Sequence, residues 1–187
     1  TTWDTAYSNT VVSGIFYQVQ FLNNNVGYAV GTVTPKIWKT VNGGVTWTGI
    51  TTAPTTTMYD IYAFDTLNLI VTTTSGNVQK STDGGATWSA VISTGNTNIN
   101  YKMHFTDNNN GYVAGATGKF AVTTNGGANW TLKPVVVGAT NSSSYYDIAA
   151  INTSPAAVTR LDEGFEDVTF PPTGWSSFSI SGANVWN

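Results

Sequence analysis

Apolar and polar residues alternate in short runs along the chain, and Gly, Asn, Asp or Ser breaks each run after a few residues. The stretch from Met58 to Ile92 shows the pattern best. Met58 to Phe64, Leu69 to Thr74, Val78 to Ser81 and Thr87 to Ile92 read as four strands. Asp65-Thr66, Ser75-Gly76-Asn77 and Asp83-Gly84-Gly85 read as the turns between them. No capped segment carries a helical period, so the expected fold class is all-β.

The four-strand pattern recurs. Phe21 to Trp47, Phe64 to Trp88 and Phe105 to Trp130 superimpose. Trp47 to Trp88 spans 41 residues and Trp88 to Trp130 spans 42; Phe21 to Phe64 spans 43 and Phe64 to Phe105 spans 41. A period of about 40–45 with strand content predicts four-stranded propeller blades. Trp3 reads as the tail of a preceding unit, and Tyr146 to Val158 aligns with Tyr59 to Val71 as the start of a fourth. The units lie near 4–47, 48–88 and 89–130, with a partial one at 131–160.

The most regular part of each unit is its last turn. It carries Thr40, Asn42, Gly44, Thr46 and Trp47, then Ser81, Asp83, Gly85, Thr87 and Trp88, then Thr123, Asn125, Gly127, Asn129 and Trp130. An Asp or Asn side chain can accept backbone N–H bonds inside such a turn, and paired glycines allow positive φ. The Trp offers a large apolar plate for the blade core and an indole N–H that seeks a carbonyl. This turn resembles the Asp-box, or bacterial neuraminidase repeat. The longer unit, with Phe21, Gly27-Tyr28 and Gly31, and again Phe105, Gly111-Tyr112 and Gly115, is similar to the propeller repeats of photosystem II stability/assembly factors and sortilin-type receptors. The resemblance covers residues 1–158 and implies a structural role for the turn. Only the second copy has Asp, so the Asn copies are expected to be weaker.

After residue 160 the text changes. Asp162, Glu163, Glu166 and Asp167 crowd together, and Pro171-Pro172 and Gly174-Trp175 follow. Phe165 to Trp175 resembles the opening strand of cleaved-adhesin or choice-of-anchor jelly-roll domains of Bacteroidetes secreted proteins. Residues 1–160 are thus expected to form a partial propeller, and 161–187 the first strands of a β-sandwich. Three blades cannot close a ring of seven, the usual number in the family resembled, so a fragment of a longer protein is expected.

Composition narrows the functions. Charged residues are 9% of the chain, against roughly 25% in ordinary domains. With 32 Thr, 19 Asn and 19 Gly, the surface is neutral and rich in hydrogen-bonding groups. Six Lys and one Arg, with net charge -3, argue against nucleic acid as a partner. No apolar run approaches the ~20 residues of a spanning helix, so membrane insertion is not expected. The absence of Cys removes disulfides and thiolate sites.

Candidate chemistry is sparse. The neuraminidase resemblance would bring an Arg triad, but Arg160 is the one Arg and lies outside the repeats. Asp60 and Asp147 occupy one repeat position beside Tyr59 and Tyr146 and read as turn or strand-edge groups rather than a glycosidase pair. Asp65 and Asp107 read as turn formers, and Asn23-Asn24-Asn25 and Asn108-Asn109-Asn110 as exposed loops. His104 falls where the other units place Gln20, Ala63 and Ala150, a structural position. Glu166 and Asp167 are weak Ca²⁺ candidates in the C-terminal module; no other cofactor is expected. Thr5 and Thr66 lie in strings resembling the O-glycosylation signal of Bacteroidetes secreted proteins.

The expected function is non-catalytic: a secreted or cell-surface adhesion propeller, with loops on a rigid scaffold binding a glycan or protein. The second resemblance implies outer-membrane export by a type IX route, with the secretion machinery as a further partner. The alternative is a carbohydrate-active enzyme whose catalytic residues lie outside this chain. An assembly factor for a membrane complex is a third reading, which the scarcity of cations does not favour.

Overall fold

The computed structural model describes residues 14–133, 144–149, 177–180 and 183–186. Its first compact unit, Thr1–Asn152, holds three four-stranded antiparallel sheets in chain order. The first blade is β1 (Phe16–Phe21), β2 (Gly27–Gly31), β3 (Ile37–Thr40) and β4 (Thr48–Gly49). The second is β5 (Ile61–Ala63), β6 (Leu69–Thr73), β7 (Asn77–Ser81) and β8 (Ile92–Ser93). The third is β9 (Asn100–Phe105), β10 (Gly111–Gly115), β11 (Phe120–Thr123) and β12 (Thr131–Lys133). Each is a simple meander of neighbouring strands. In the second unit, Thr153–Asn187, β13 (Ser177–Ile180) pairs with β14 (Ala183–Trp186) as an antiparallel ribbon. Thr5, Glu166 and Asp167 lie outside the described residues.

Blades pack face to face, and alternation along each strand sends side chains to opposite seams. Leu69 and Val71 join Tyr28, Val30 and Ile37 between the first two blades, while Ile70 joins Met103, Phe105 and Val113 between the second and third. All five β6 residues are buried, so the strand reads Leu-Ile-Val-Thr-Thr without alternating apolar and charged positions. The first strands β1, β5 and β9 lie beside one another and form the inner edge.

Two strand expectations shift for local reasons. The first strand of blade two starts at Ile61, not Met58, because Asp60 diverts the ladder: its N–H goes to Thr72 Oγ1 (2.9 Å) and its Oδ1 takes Ile61 N–H (2.9 Å). The fourth strand is Ile92–Ser93, not Thr87–Ile92, because the Ser89 hydroxyl takes Lys80 N–H at 3.0 Å and interrupts regular pairing.

The repeat register also needs correction. Phe21 pairs with Gly27, Ala63 with Leu69, and Phe105 with Gly111. Phe21, Ala63 and Phe105 are therefore equivalent, and Phe64 stands one residue further on. His104 accordingly matches Gln20 and Tyr62, not Ala63. The reason is volume exchange across the strand pair. A Cβ on Gly111 would lie 2.5 Å from the Phe105 ring, and one on Gly27 would lie 2.8 Å from the Phe21 ring, so each ring rests on bare backbone. Blade two reverses the sizes, with small Ala63 opposite large Leu69. Phe105→Ala alone is expected to cost about 3–4 kcal/mol. Adding Gly111→Leu, which copies the blade-two pair, should recover roughly half of that. Urea melts of the single and double variants check this.

Candidate functional site

The recurring turn is built alike in all three blades. Thr40 Oγ1 donates to Asn42 Oδ1 (3.0 Å) and accepts from Gly44 N–H (2.9 Å), while Asn42 Oδ1 accepts Thr46 N–H (2.9 Å). Ser81, Asp83, Gly85 and Thr87 repeat this at 2.8 Å for each bond. Thr123, Asn125, Gly127 and Asn129 repeat it again at 3.0, 2.9 and 2.9 Å. The copies differ in the last bond. Asp83 Oδ2 accepts the Thr87 hydroxyl (2.5 Å), and Asn42 Nδ2 instead donates to Thr46 Oγ1 (2.9 Å). Bonds from Thr87 and Ser81 hold the Asp83 carboxyl down at about 2.

Trp88 packs in the seam with blade one and Trp130 in the seam with blade two, where Trp130 also meets Phe105 of its own blade edge-on at 6.1 Å. Their indole N–H groups donate to Gly85 O and Gly127 O, each at 3.2 Å. Gly85 and Gly127, at φ +93° and +80°, abut Ile50 and Ile70 of the preceding blade. The turn therefore clamps neighbouring blades together. A second clamp escaped the sequence reading: the loop between first and second strands docks on the glycine pair. Asn25 O accepts Gly43 N–H, Leu67 O accepts Gly84 N–H, and Asn109 O accepts Gly126 N–H, at 2.8–2.9 Å. Asn23, Asp65 and Asp107 shape those loops by accepting two backbone N–H bonds each. Thr66, the candidate modification site, lies in one such loop and is exposed.

At the opposite end of the blades, near the starts of the inner strands, a different set gathers. Tyr17 stacks on Tyr59 at 5.0 Å and 27°. Tyr59 meets Tyr101 edge-on at 5.5 Å and 89°, and Tyr101 lies 4.8 Å from Tyr146 at 31°. With Lys102 and Asp147 these four rings line an open cleft of about 370 Å³. The signal was present in the sequence, since Tyr17, Tyr59 and Tyr101 are each 42 residues apart. Aligning on Phe64 hid it by one position.

Beneath the row sits Asp60, which is not an edge group. Its side chain is 1% exposed. It bridges blades two and three: Oδ2 accepts Met103 N–H at 2.6 Å, and Lys102 Nζ lies 3.6 Å from Oδ1. Burial pushes its carboxyl up to about 6 against the pull of Met103 and Lys102. Asp147, its repeat equivalent, is exposed and accepts Ile148 N–H at 2.9 Å. Side chains at the Gln20 position reach across the seams as well. Gln20 binds both Ala63 N–H (2.8 Å) and Ala63 O (3.2 Å), and Tyr62 OH donates to Phe105 O (3.2 Å).

Solved structures with this geometry exist. YCF48 bound to D1 peptide aligns with TM-score 0.55 at 19% identity, over 65% of this chain and 40% of that one. YCF48 from Cyanidioschyzon merolae aligns with TM-score 0.53 at 24% identity, over 66% and 38%. The fold is a partial β-propeller. At these identities the likeness establishes architecture alone, and the matched region spans about two fifths of each YCF48 chain. An ancestral GH74 enzyme aligns more weakly, with TM-score 0.49 at 18% identity over 65% of this chain and 18% of that one, and carries no weight here. No family model matches the chain, and no curated protein does.

Proposed function

We propose that the chain is a non-catalytic binding segment of a secreted or cell-surface protein, built on Asp-box blades. The supporting observation is how the polar groups are committed. Asp83 is held within its turn, and Asp60 is sealed in a blade seam by Met103, Ile61 and Lys102. Of the Asp60 and Asp147 pair, only Asp147 is open to solvent, whereas glycoside hydrolysis needs two carboxylates facing one substrate. The inner edge of the blades carries an open aromatic cleft, an arrangement suited to recognition. A propeller neighbour is bound to a peptide, which supports a protein ligand alongside a glycan.

In this reading the segment from 161 onward begins a jelly-roll adhesin module. Export would follow the type IX route of Bacteroidetes surface proteins, and any Ca²⁺ would belong to that module. Incubating the protein with soluble and cell-wall polysaccharides and with immobilised surface proteins tests the function. Retention without release of reducing ends is expected. Turnover of any of these glycans would sink the non-catalytic reading.

A further inference from the structure

We propose that the tyrosine row is a binding site for a neutral oligosaccharide, an inference that rests on the non-catalytic binding function and gives it a place and a ligand class. The row is continuous across three blades and the start of a fourth unit, with ring centroids 4.8–5.5 Å apart. It lines a cleft rather than a packed seam. Tyr17 is 44% exposed and Tyr146 is 71% exposed, while Tyr59 and Tyr101 are half-buried between them. Burial of large apolar rings normally contributes more than their exposure, so a surface row of four rings is a feature that packing alone does not account for.

The ring geometry and the charges select the ligand. Tyr17 and Tyr59 form one near-parallel pair, Tyr101 and Tyr146 another, and the pairs meet nearly at right angles. The rings within each pair are already in contact, which leaves no slot for a flat ring to slide between them. What remains open are outer faces and edges, with a hydroxyl on each ring that both donates and accepts. A pyranose offers the matching surface: an apolar C–H face and a rim of hydroxyls. The ionic groups in the cleft are Lys102 and Asp147. Lys102 is held beside buried Asp60, so an anionic ligand meets a cation already partnered and the exposed Asp147 carboxylate. A cationic ligand meets the Lys102 ammonium beside the Asp147 carboxylate, so opposite charges offset there and its own charge gains little. A neutral polyhydroxylated chain avoids both and can accept from Lys102 and donate to Asp147. The length of the row fits several sugar units better than one.

Titration calorimetry of the 187-residue chain with cellohexaose, laminarihexaose and mannohexaose tests this. At least one should bind. Tyr146→Ala and Tyr17→Ala should each weaken that binding about tenfold, with unchanged melting temperature for Tyr146→Ala because that ring is 71% exposed, and Tyr146→Phe should weaken it less. Val45→Ala, in the turn at the far end of blade one, should change nothing. Binding by none of the three sugars at millimolar concentration overturns the proposal, as does binding that ignores both Tyr→Ala changes. A peptide that occupies the row in place of the sugars overturns the ligand class and leaves the binding function intact. Release of reducing ends from a sugar bound at the row upholds the site and overturns the non-catalytic reading.

Discussion

Asp60→Ala is expected to destabilise the protein by about 3–4 kcal/mol, the largest effect of any charged position in the described blades. The carboxylate is buried at the inner edge and serves two blades at once. Its loss strands Met103 N–H and Ile61 N–H away from water and leaves Lys102 without its partner. Asp60→Asn should cost less, since one acceptor oxygen remains. The pH dependence runs opposite to that of most carboxylates. The folded-state value, about 6, lies above the ordinary 3.8, so the folded protein binds this proton more tightly than the unfolded chain does. Stability from this group is therefore greatest below pH ~4, falls as pH rises towards ~6, and is flat above. A rise of about two units corresponds to roughly 3 kcal/mol at most. Asp65, Asp83 and Asp107 are shifted downward instead, and their contribution is lost only as pH falls below the ordinary carboxylate range. The interval from ~4 to ~6 thus isolates Asp60. Urea midpoints measured across it should fall for the native protein and stay level for Asp60→Asn; parallel curves would refute the assignment.

Gly76→Ala should be as damaging, at about 3–5 kcal/mol. Gly76 has φ +68°, and a Cβ there would lie 1.9 Å from Asn96 O and 2.9 Å from Asn98 O, both backbone atoms. The 94–100 segment cannot yield easily, because Thr94, Asn96 and Asn100 within it form a buried polar cluster. Gly76 O accepts from Thr94 Oγ1 (2.6 Å), Asn96 Nδ2 donates to Asn100 Oδ1 (2.9 Å), and Asn100 Nδ2 donates to Thr94 Oγ1 (3.1 Å). Moving this segment would leave those groups unpaired in the interior. Gly84→Ala is the control. Its φ is +73°, but the nearest backbone atom, Thr66 O, stands 3.0 Å from the added carbon, so about 1 kcal/mol is expected. Equal losses for the two variants would show that backbone conformation, not the closed packing over Gly76, sets the cost. The same segment leads directly into Tyr101, so Gly76→Ala should also weaken any ligand held by the tyrosine row.

Within a blade, most of the structure was legible from residues alone. A hairpin joins neighbours in the chain, so glycine pairs, Asx residues and apolar alternation state the turns and faces locally. Thr40, Ser81 and Thr123 with their Asn or Asp partners form the bonds their spacing implied. Where the local text is ambiguous, the sequence alone misplaces the register by one residue. Phe64 follows Ala63 in the place where the other units end a strand with Phe, and only the pairing of Ala63 with Leu69 shows that the large residue moved to the opposite strand. Side-chain volume is conserved across a pair, not at a position, and a one-dimensional alignment cannot express that.

The relation between blades was decided by the tertiary structure. The rotation from one sheet to the next brings together residues about 42 apart with no local turn to announce their contact. That rotation turned Trp88 and Trp130 into seam plates, sealed Asp60 against Met103 and Lys102, and lined Tyr17, Tyr59, Tyr101 and Tyr146 along one cleft. A repeat specifies its own sheet through short-range hydrogen bonding. Its surface chemistry arises only when copies are stacked, because each seam is made from two different sequences that meet through packing.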